Sequence, residues 1–356
     1  MDQTYKVIGL MSGTSGDGLD IAYCHFTKSK DWSFNLEFGE TVPFPENLGK
    51  SLQFAHDFDS LSLAQLDVDF GKWMGRQVRN LIDRKGWEVD VVCSHGHTVF
   101  HQPSKRLTLQ IGNGWALHQE VGVPVINDFR MNDVQLGGQG APLVPIGDRH
   151  LFGAYDYCIN LGGIANISME ISGERKAFDI CPFNLLLNRY AVSLGKSYDE
   201  NGDFAREGKV LEDVLDRLNG LTYYKQPNAK SLGREDLDIY LEILENKLDH
   251  RPQDVLRTLV EHYIFQIMRV LSPESSKRKS VLVTGGGAFN MFFMQKLKEA
   301  MAGYFELIDA GKEMINFKEA LIFGFLGVLR LRNEPNCLAS VTGAKKDSCG
   351  GMLFGL

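Results

Sequence analysis

What this chain lacks narrows its function first. Among its 356 residues there are only six cysteines, Cys24, Cys93, Cys158, Cys181, Cys337 and Cys349, and no two of them form a CxxC pair. Scattered cysteines in a chain this long argue against a zinc site or a disulfide frame and read as small buried hydrophobes in a reducing compartment. No window approaches the ~18 uninterrupted apolar residues that a membrane helix needs. Met1 to Lys6 has no basic stretch leading into an apolar run, which predicts no signal peptide. A basic excess is also missing: 38 Lys and Arg stand against 45 Asp and Glu, a net charge of -7. That balance speaks against a surface that coats nucleic acid, yet leaves small anions open, because backbone N–H groups bind phosphate without net positive charge. There is no P-loop either, since Gly195-Lys196-Ser197 has Tyr190 where that motif needs glycine. The expectation is a cytoplasmic protein with neither a nucleic-acid nor a membrane partner.

What is present is ordinary globular composition, 44% apolar and 23% charged, in a chain long enough for two domains. Strand-like and helix-like segments alternate, which predicts an α/β fold. Tyr5 to Met11, Leu19 to Phe26 and Phe34 to Phe44 read as strands. Leu66, Phe70, Trp73, Gln77 and Leu81 lie at helical spacing, with Met74 and Val78 widening the stripe. Val89 to Cys93 and Val123 to Ile126 are short buried-strand runs, and Asp156 to Leu161 with Ile164 to Ile171 form a second strand–glycine–strand unit. Helices dominate afterwards, with Pro182 suited to a helix first turn and Phe317 to Leu331 strongly apolar. Gly137 to Pro142 is the best candidate for an interdomain hinge. The expected division is therefore 1–136, 137–340 and a C-terminal tail, 341–356, returning to the first domain.

Two hairpin tips carry glycine and small polar residues. The first reads Gly13-Thr14-Ser15-Gly16-Asp17-Gly18-Leu19-Asp20. Its glycines can turn N–H groups inward, Thr14 and Ser15 add hydroxyls for phosphate oxygens, and Asp17 or Asp20 could hold Mg2+ through water. An ordinary solvated turn uses the same residues. The second tip, with Gly162, Gly163 and Asn166, could act likewise. Gly285-Gly286-Gly287 follows a strand and leads towards a helix, with Asn290 where a dinucleotide fingerprint would have its third glycine, and so reads as a nucleoside platform. Asp179 stands at a strand–helix junction, where position alone leaves two readings open, a general base and a helix N-cap. Asp128 and Arg130 could form an ion pair or clamp a substrate. In Ser94-His95-Gly96-His97-Thr98 no third metal ligand is in register, which favours polar contacts. Glu319 reads as a first-turn carboxylate of the apolar helix.

Taken together these segments resemble the anhydro-N-acetylmuramic acid kinase family, within the superfamily of sugar kinases, actin and the large heat-shock ATPases. The similarity runs in order along the chain: Gly9 to Ser15 with Asp17-Gly18, Ser94-His95-Gly96, Leu109 to Gly112, Asp128-Phe129-Arg130, Gly137 to Pro145, Asn160 to Ser168, Lys230 to Glu235, Gly285 to Asn290, Glu319-Ala320-Leu321 and Val341 to Ala344. The resemblance implies a two-domain, actin-like ATPase fold, a duplicated ribonuclease H-like unit with a nucleotide cleft between the halves. It also implies a kinase that uses ATP, Mg2+ and water to open 1,6-anhydro-N-acetylmuramic acid and phosphorylate O6, in peptidoglycan recycling. By the same resemblance Gly13 to Asp20, Gly162, Gly163 and Asn166 hold phosphates, Gly285, Gly286, Gly287 and Asn290 support the nucleoside, Asp179 is the base, and Thr98, Asp128, Arg130 and Glu319 meet the sugar. ATP and the sugar are then the expected partners, with room for a homodimer. The sequence departs from the family pattern at Gly16, His97, Ile180-Cys181, Phe183 and Asn188. Of these, Phe183 is expected to narrow the sugar side, which keeps open a kinase of a different amino or anhydro sugar on the same fold; a non-catalytic, chaperone-like nucleotide-binding ATPase is the other alternative.

Overall fold

The computed structural model describes residues 2–13, 18–226, 231–233, 236–245, 250–272 and 278–356. It divides into two compact units, one of residues 1–153 and 317–356, the other of residues 154–316. The boundaries expected at 136/137 and 340/341 are therefore displaced. Gly137 to Pro142 lies inside the first unit, where it is stitched in place by one buried carboxylate. Asp133 accepts the Gly140 N–H at 2.7 Å, the Thr342 hydroxyl at 2.8 Å and the Cys337 thiol at 3.1 Å. With the Gly140 N–H on Asp133 and the Gln139 N–H on the Thr342 carbonyl at 2.9 Å, the segment is fastened within the first unit and does not join the two units.

In the first unit, β1 (Gln3–Ser12), β2 (Gly18–Lys28) and β3 (Trp32–Pro43) form an antiparallel meander. β4 (Val91–Ser94) joins β1 in parallel, and β7 (Val125–Asn127) joins β4. β13 (Met352–Phe354) pairs antiparallel with β7, which brings the last residues into this sheet. β5 (His97–Gln102) and β6 (Leu107–Ile111) form a separate hairpin. Four consecutive buried residues in β1, Val7 to Leu10, mark a central strand covered on both faces, whereas β3 alternates as an edge strand does. The helix Ser60–Lys85 starts at Asp59, whose carboxylate takes the Leu61 and Ser62 N–H groups, and ends at Gly86 in the left-handed region. Its buried face runs through Leu66, Phe70, Met74, Val78 and Leu81, so most of the predicted stripe and both residues that widened it lie in the core, while Trp73 and Gln77 are only partly buried.

In the second unit, β8 (Tyr157–Leu161), β9 (Ile164–Ile171) and β10 (Glu174–Pro182) form the meander. β11 (Lys279–Thr284) and β12 (Phe305–Ile308) add in parallel. The order β10-β9-β8-β11-β12 repeats β3-β2-β1-β4-β7, including the direction of every strand. This is the ribonuclease H-like unit twice over, the actin-like ATPase fold. The helix Pro252–Val270 buries Leu256, Leu259, Tyr263 and Ile267 in the core of this unit.

Two sequence expectations change here. Pro182 ends β10, and the following helix is Asn184–Val192. The apolar helix begins at Gly311, so Glu319 sits in its interior rather than in its first turn. Among the described residues no helix is long and apolar enough to cross a membrane.

Candidate active site

The first hairpin tip joins Ser12 to Gly18. Thr14, Ser15, Gly16 and Asp17, and with Asp17 the Mg2+ assignment, lie outside the described residues. What flanks the tip is close backbone approach. A Cβ on Gly18 would come within 2.6 Å of the Val42 carbonyl, and one on Gly9 would overlap the carbonyl of Ala320. The helix Gly311–Leu331 is thus seated directly on β1, which fixes Glu319 relative to that strand. Asp20 faces β3, and its carboxylate accepts the Thr41 hydroxyl at 2.6 Å. Leu19 beside it is fully buried in the core.

Glu319 lies in the field of Arg130, Asp20 and Lys318. Burial raises its pKa, the Arg130 and Lys318 cations oppose the rise and Asp20 adds to it. Arg130 is held on three sides. Its Nε and Nη2 donate to His95 Nε2 at 3.0 and 2.9 Å, its Nη1 donates to the Gly140 carbonyl at 2.7 Å, and its guanidinium lies 6.0 Å from the Phe323 ring centre. One N–H on each terminal nitrogen remains for a ligand. Burial pulls the Arg130 pKa down to about 10, so the group stays cationic near neutrality. His95 donates from Nδ1 to the Gly96 carbonyl at 2.9 Å and must accept at Nε2. Burial and the adjacent guanidinium hold it neutral, well below the usual histidine range. His97 is likewise pushed down by burial, and its Nδ1 lies 3.0 Å from Ser12 Oγ. With these ring nitrogens engaged, the two histidines form no metal pair.

The remaining sugar-side candidates divide. Thr98 accepts from Gln110 Nε2 at 3.3 Å on the β5–β6 hairpin. Asp128 has φ 55° and accepts the Met131 N–H at 3.4 Å, while burial raises its pKa. It makes no ion pair with Arg130, so that reading falls. Among the described residues no three His, Cys, Asp or Glu side chains converge as a metal site. Mg2+ keeps most of its waters and takes one or two carboxylates beside phosphate oxygens, so it needs no such cluster.

In the second unit the tip carbonyls of Gly162 and Gly163 turn towards the start of the helix Asn184–Val192. Phe183 N–H bonds the Gly163 carbonyl at 2.8 Å and Asn184 N–H the Gly162 carbonyl at 3.2 Å. Among the described residues none accepts the N–H of Gly162 or Gly163, leaving two adjacent donors for an anion. Gly285, at φ 84°, and Gly287 admit no side chain: a Cβ on the latter would overlap Phe183, whereas Gly286 meets nothing nearer than 3.9 Å. Asn290 commits its Oδ1 to the Phe293 N–H at 2.9 Å and caps the helix Met291–Met301.

Phe183 is wholly buried, 4.8 Å from Tyr263 and 4.9 Å from Phe293 by ring centres. It belongs to the core of this unit and narrows no sugar site. The reason is local: the chain turns from β10 into the helix at Phe183 itself, and the side chain falls inward.

Asn160, Asn166 and Asp179 stand opposite one another on β8, β9 and β10, forming a polar row across one face of the sheet. A bulge follows at once, between Asp179 and Cys181. The next helix has Phe183 at its N-cap and no side-chain cap, so Asp179 is not its cap. Instead Asp179 Oδ2 accepts the Leu232 N–H at 2.9 Å and lies 3.4 Å from the Ser231 hydroxyl. Oδ1 has no partner among the described residues. Burial raises the Asp179 pKa, and the two hydrogen bonds oppose the rise. A half-buried carboxylate with one oxygen anchored and the other unpaired can accept a proton.

Sequence reading did not single out His95 as the brace of Arg130, nor Tyr223, Ser231 and Leu232 as partners of Asp179. Ser231 and Leu232 did belong to a segment shared with the family, Lys230 to Glu235; their contact with a residue some fifty positions earlier has no local signature.

A family model described as anhydro-N-acetylmuramic acid kinase matches residues 5–355. The chain is similar to the protein of that name from Mannheimia succiniciproducens, 33% identical over 381 aligned residues that cover 99% of each chain. It is also similar to the one from Aliivibrio fischeri, 31% identical over 367 residues, covering 98% of this chain and 99% of that one. Among solved structures, a ROK family glucokinase from Streptomyces griseus in complex with glucose and AMPPNP aligns over 90% of this chain and 98% of its own, at 14% identity and a TM-score of 0.38. A likeness at that distance carries no reading of individual residues.

Proposed function

The chain belongs to the anhydro-N-acetylmuramic acid kinase family, and from that premise we propose that it uses ATP and water to convert 1,6-anhydro-N-acetylmuramic acid into N-acetylmuramic acid 6-phosphate, a step of peptidoglycan recycling. The observation that carries this reading is the carboxylate of Asp179, anchored through Oδ2 and unpaired at Oδ1. Asp179 takes a proton from water as the water oxygen bonds to the anomeric carbon. The bond from that carbon to O6 breaks, O6 attacks the γ-phosphorus and ADP leaves. Such a base contributes about 10²–10⁴-fold.

The unpaired N–H groups of Gly162 and Gly163 suit phosphate oxygens, as would the tip from Gly13 to Asp20. Gly285 to Asn290 would support the nucleoside. Mg2+ bound with the nucleotide neutralises phosphate charge, and Asp17 is the residue proposed to hold it, through water. The sugar carries a lactyl carboxylate, and the two free N–H groups of Arg130 are natural donors to it. Thr98, Asp128 and Glu319 are proposed to border the sugar. Because Phe183 is in the core, the main argument for a different sugar disappears. We place the reaction in the cytoplasm, in keeping with six free cysteines, five of them buried.

The test is ADP release by the purified protein with ATP and a panel of sugars. Release that depends on 1,6-anhydro-N-acetylmuramic acid, with the 6-phosphate as product, is expected. Slow hydrolysis indifferent to every sugar would overturn the proposal.

A further inference from the structure

Asp179 lies on β10, the edge strand of its sheet, at the residue where pairing with β9 breaks into a bulge. An edge carbonyl beside a bulge has no strand to answer it, and a half-buried one left alone would be costly. Here the answer comes from a side chain. Tyr223, in the short 3-10 turn Thr222–Lys225, donates its hydroxyl to the Asp179 carbonyl at 2.6 Å. The turn is itself fastened to the core through its neighbour. Tyr224 OH lies 2.9 Å from His262 Nε2 and accepts the Tyr240 hydroxyl at 2.9 Å, and His262 Nδ1 lies 2.7 Å from Asn219 Oδ1. The main chain of Asp179 is thus tied to Tyr223, whose neighbour Tyr224 belongs to a buried hydrogen-bond network, while its side chain is tied at Oδ2 to Leu232. With both ends fixed, one free oxygen has one direction.

We infer that Tyr223 is the positioning residue of Asp179: by holding the main chain at the bulge, its hydroxyl fixes where the unpaired Oδ1 points. This rests on the reading of Asp179 as the base, and the inference adds a dependence of that base on a side chain outside the reacting groups. Burial and the Asp179 carboxylate push the Tyr223 phenol well up, so the donor keeps its proton across the working range.

The experiment is a double-mutant cycle on the full-length protein with ATP and 1,6-anhydro-N-acetylmuramic acid. Tyr223→Phe removes one hydroxyl and is expected to lower kcat about tenfold, the scale of one lost hydrogen bond, with both KM values little changed. On the Asp179→Asn background the same change should have no further effect, because there is no base left to aim. A Tyr223→Phe enzyme with wild-type kcat, or one whose tenfold loss recurs in full on the Asp179→Asn background, would overturn the inference and leave the base intact. Near-normal turnover by Asp179→Asn alone would instead remove the base, and this inference with it. If Tyr223→Phe does not fold, a fluorotyrosine at position 223 decides. Its more acidic phenol loses the donor as pH rises, so kcat must fall at a pH where the unmodified enzyme's does not. Among the described residues Asp179, Tyr240, Cys181 and Asp236 bear on this phenol, and the fluorine substitution alters none of them. An unchanged alkaline limb would overturn the inference.

Discussion

The two units repeat one strand order, and comparing equivalent positions separates scaffold from chemistry. One pair down from the first tip, Met11, Asp20 and Thr41 stand opposite one another on β1, β2 and β3. One pair down from the second tip the same places hold Asn160, Asn166 and Asp179. In the first row the carboxylate is on the middle strand and is answered within the sheet by Thr41. In the second it is on the edge strand and is answered from outside, by Leu232, Ser231 and Tyr223. A carboxylate on the edge strand can be served by added loops and still keep an oxygen open. The fold supplies two similar frames; the loops added at the edge of one of them make that frame a candidate for acid–base work.

The largest effect that could break this comparison is chemical. Asp179→Asn keeps size and much of the hydrogen bonding but cannot take a proton, and should lower turnover at least about a hundredfold with ATP affinity unchanged. Steady-state kinetics with calorimetry on the same preparation would decide it. Because burial raises the Asp179 pKa, the acid limb of kcat should lie above the range of an ordinary aspartate and vanish in this variant.

Next comes stability. The first unit carries a buried ion pair, Lys318 to Asp148 at 2.7 Å, with both side chains 5% exposed. Lys318→Met removes the cation of this buried pair and should cost about 3–5 kcal/mol in denaturant melts. The glycines of the second unit should split. Gly287→Ala must displace Phe183 or Leu161 and should cost about 1–3 kcal/mol, whereas Gly286→Ala meets open space and should melt like the parent.

The smallest effect separates the units by pH. Burial lowers the pKa of His95, His97, His101 and His150 in the first unit but of His262, to about 3, in the second. A depressed histidine contributes stability above its unfolded pKa of about 6.5 and loses it as pH falls, at up to about 1.4 kcal/mol per pH unit. Raised carboxyls act in the opposite sense but are matched, Asp128 and Glu319 against Asp179 and Asp199. Between pH 6.5 and 5 the first unit should therefore lose hydrogen-exchange protection more steeply. Equal slopes would erase the distinction.

Much of this was legible in the sequence because it is local. Apolar runs marked β1, β4 and β8, helical spacing marked Ser60–Lys85, and glycine clusters marked both tips. Family motifs in chain order carried the kinase reading, which no single glycine loop could have done. What escaped depends on contacts distant in sequence. The glycines from 137 to 140 look like a hinge until Asp133 and Thr342 are seen beside them. Phe183 looks like a site residue until Tyr263, eighty positions later, is found against it. Asp179 remained divided between cap and base because Leu232 and Tyr223, which favour the base, leave no trace near position 179.

The division of the chain also bears on its synthesis. The second unit is continuous, from 154 to 316, but the first is completed only by residues 317–356. On a ribosome the earlier residues therefore emerge without the helix that covers β1 and without β13, and the later unit has its whole sequence available first. Until the last residues are released, β7 keeps an open edge and Gly9 faces no helix. A chain cut short before Met352 would keep every proposed site residue and still present that edge to its neighbours, so its failing would be aggregation rather than lost chemistry.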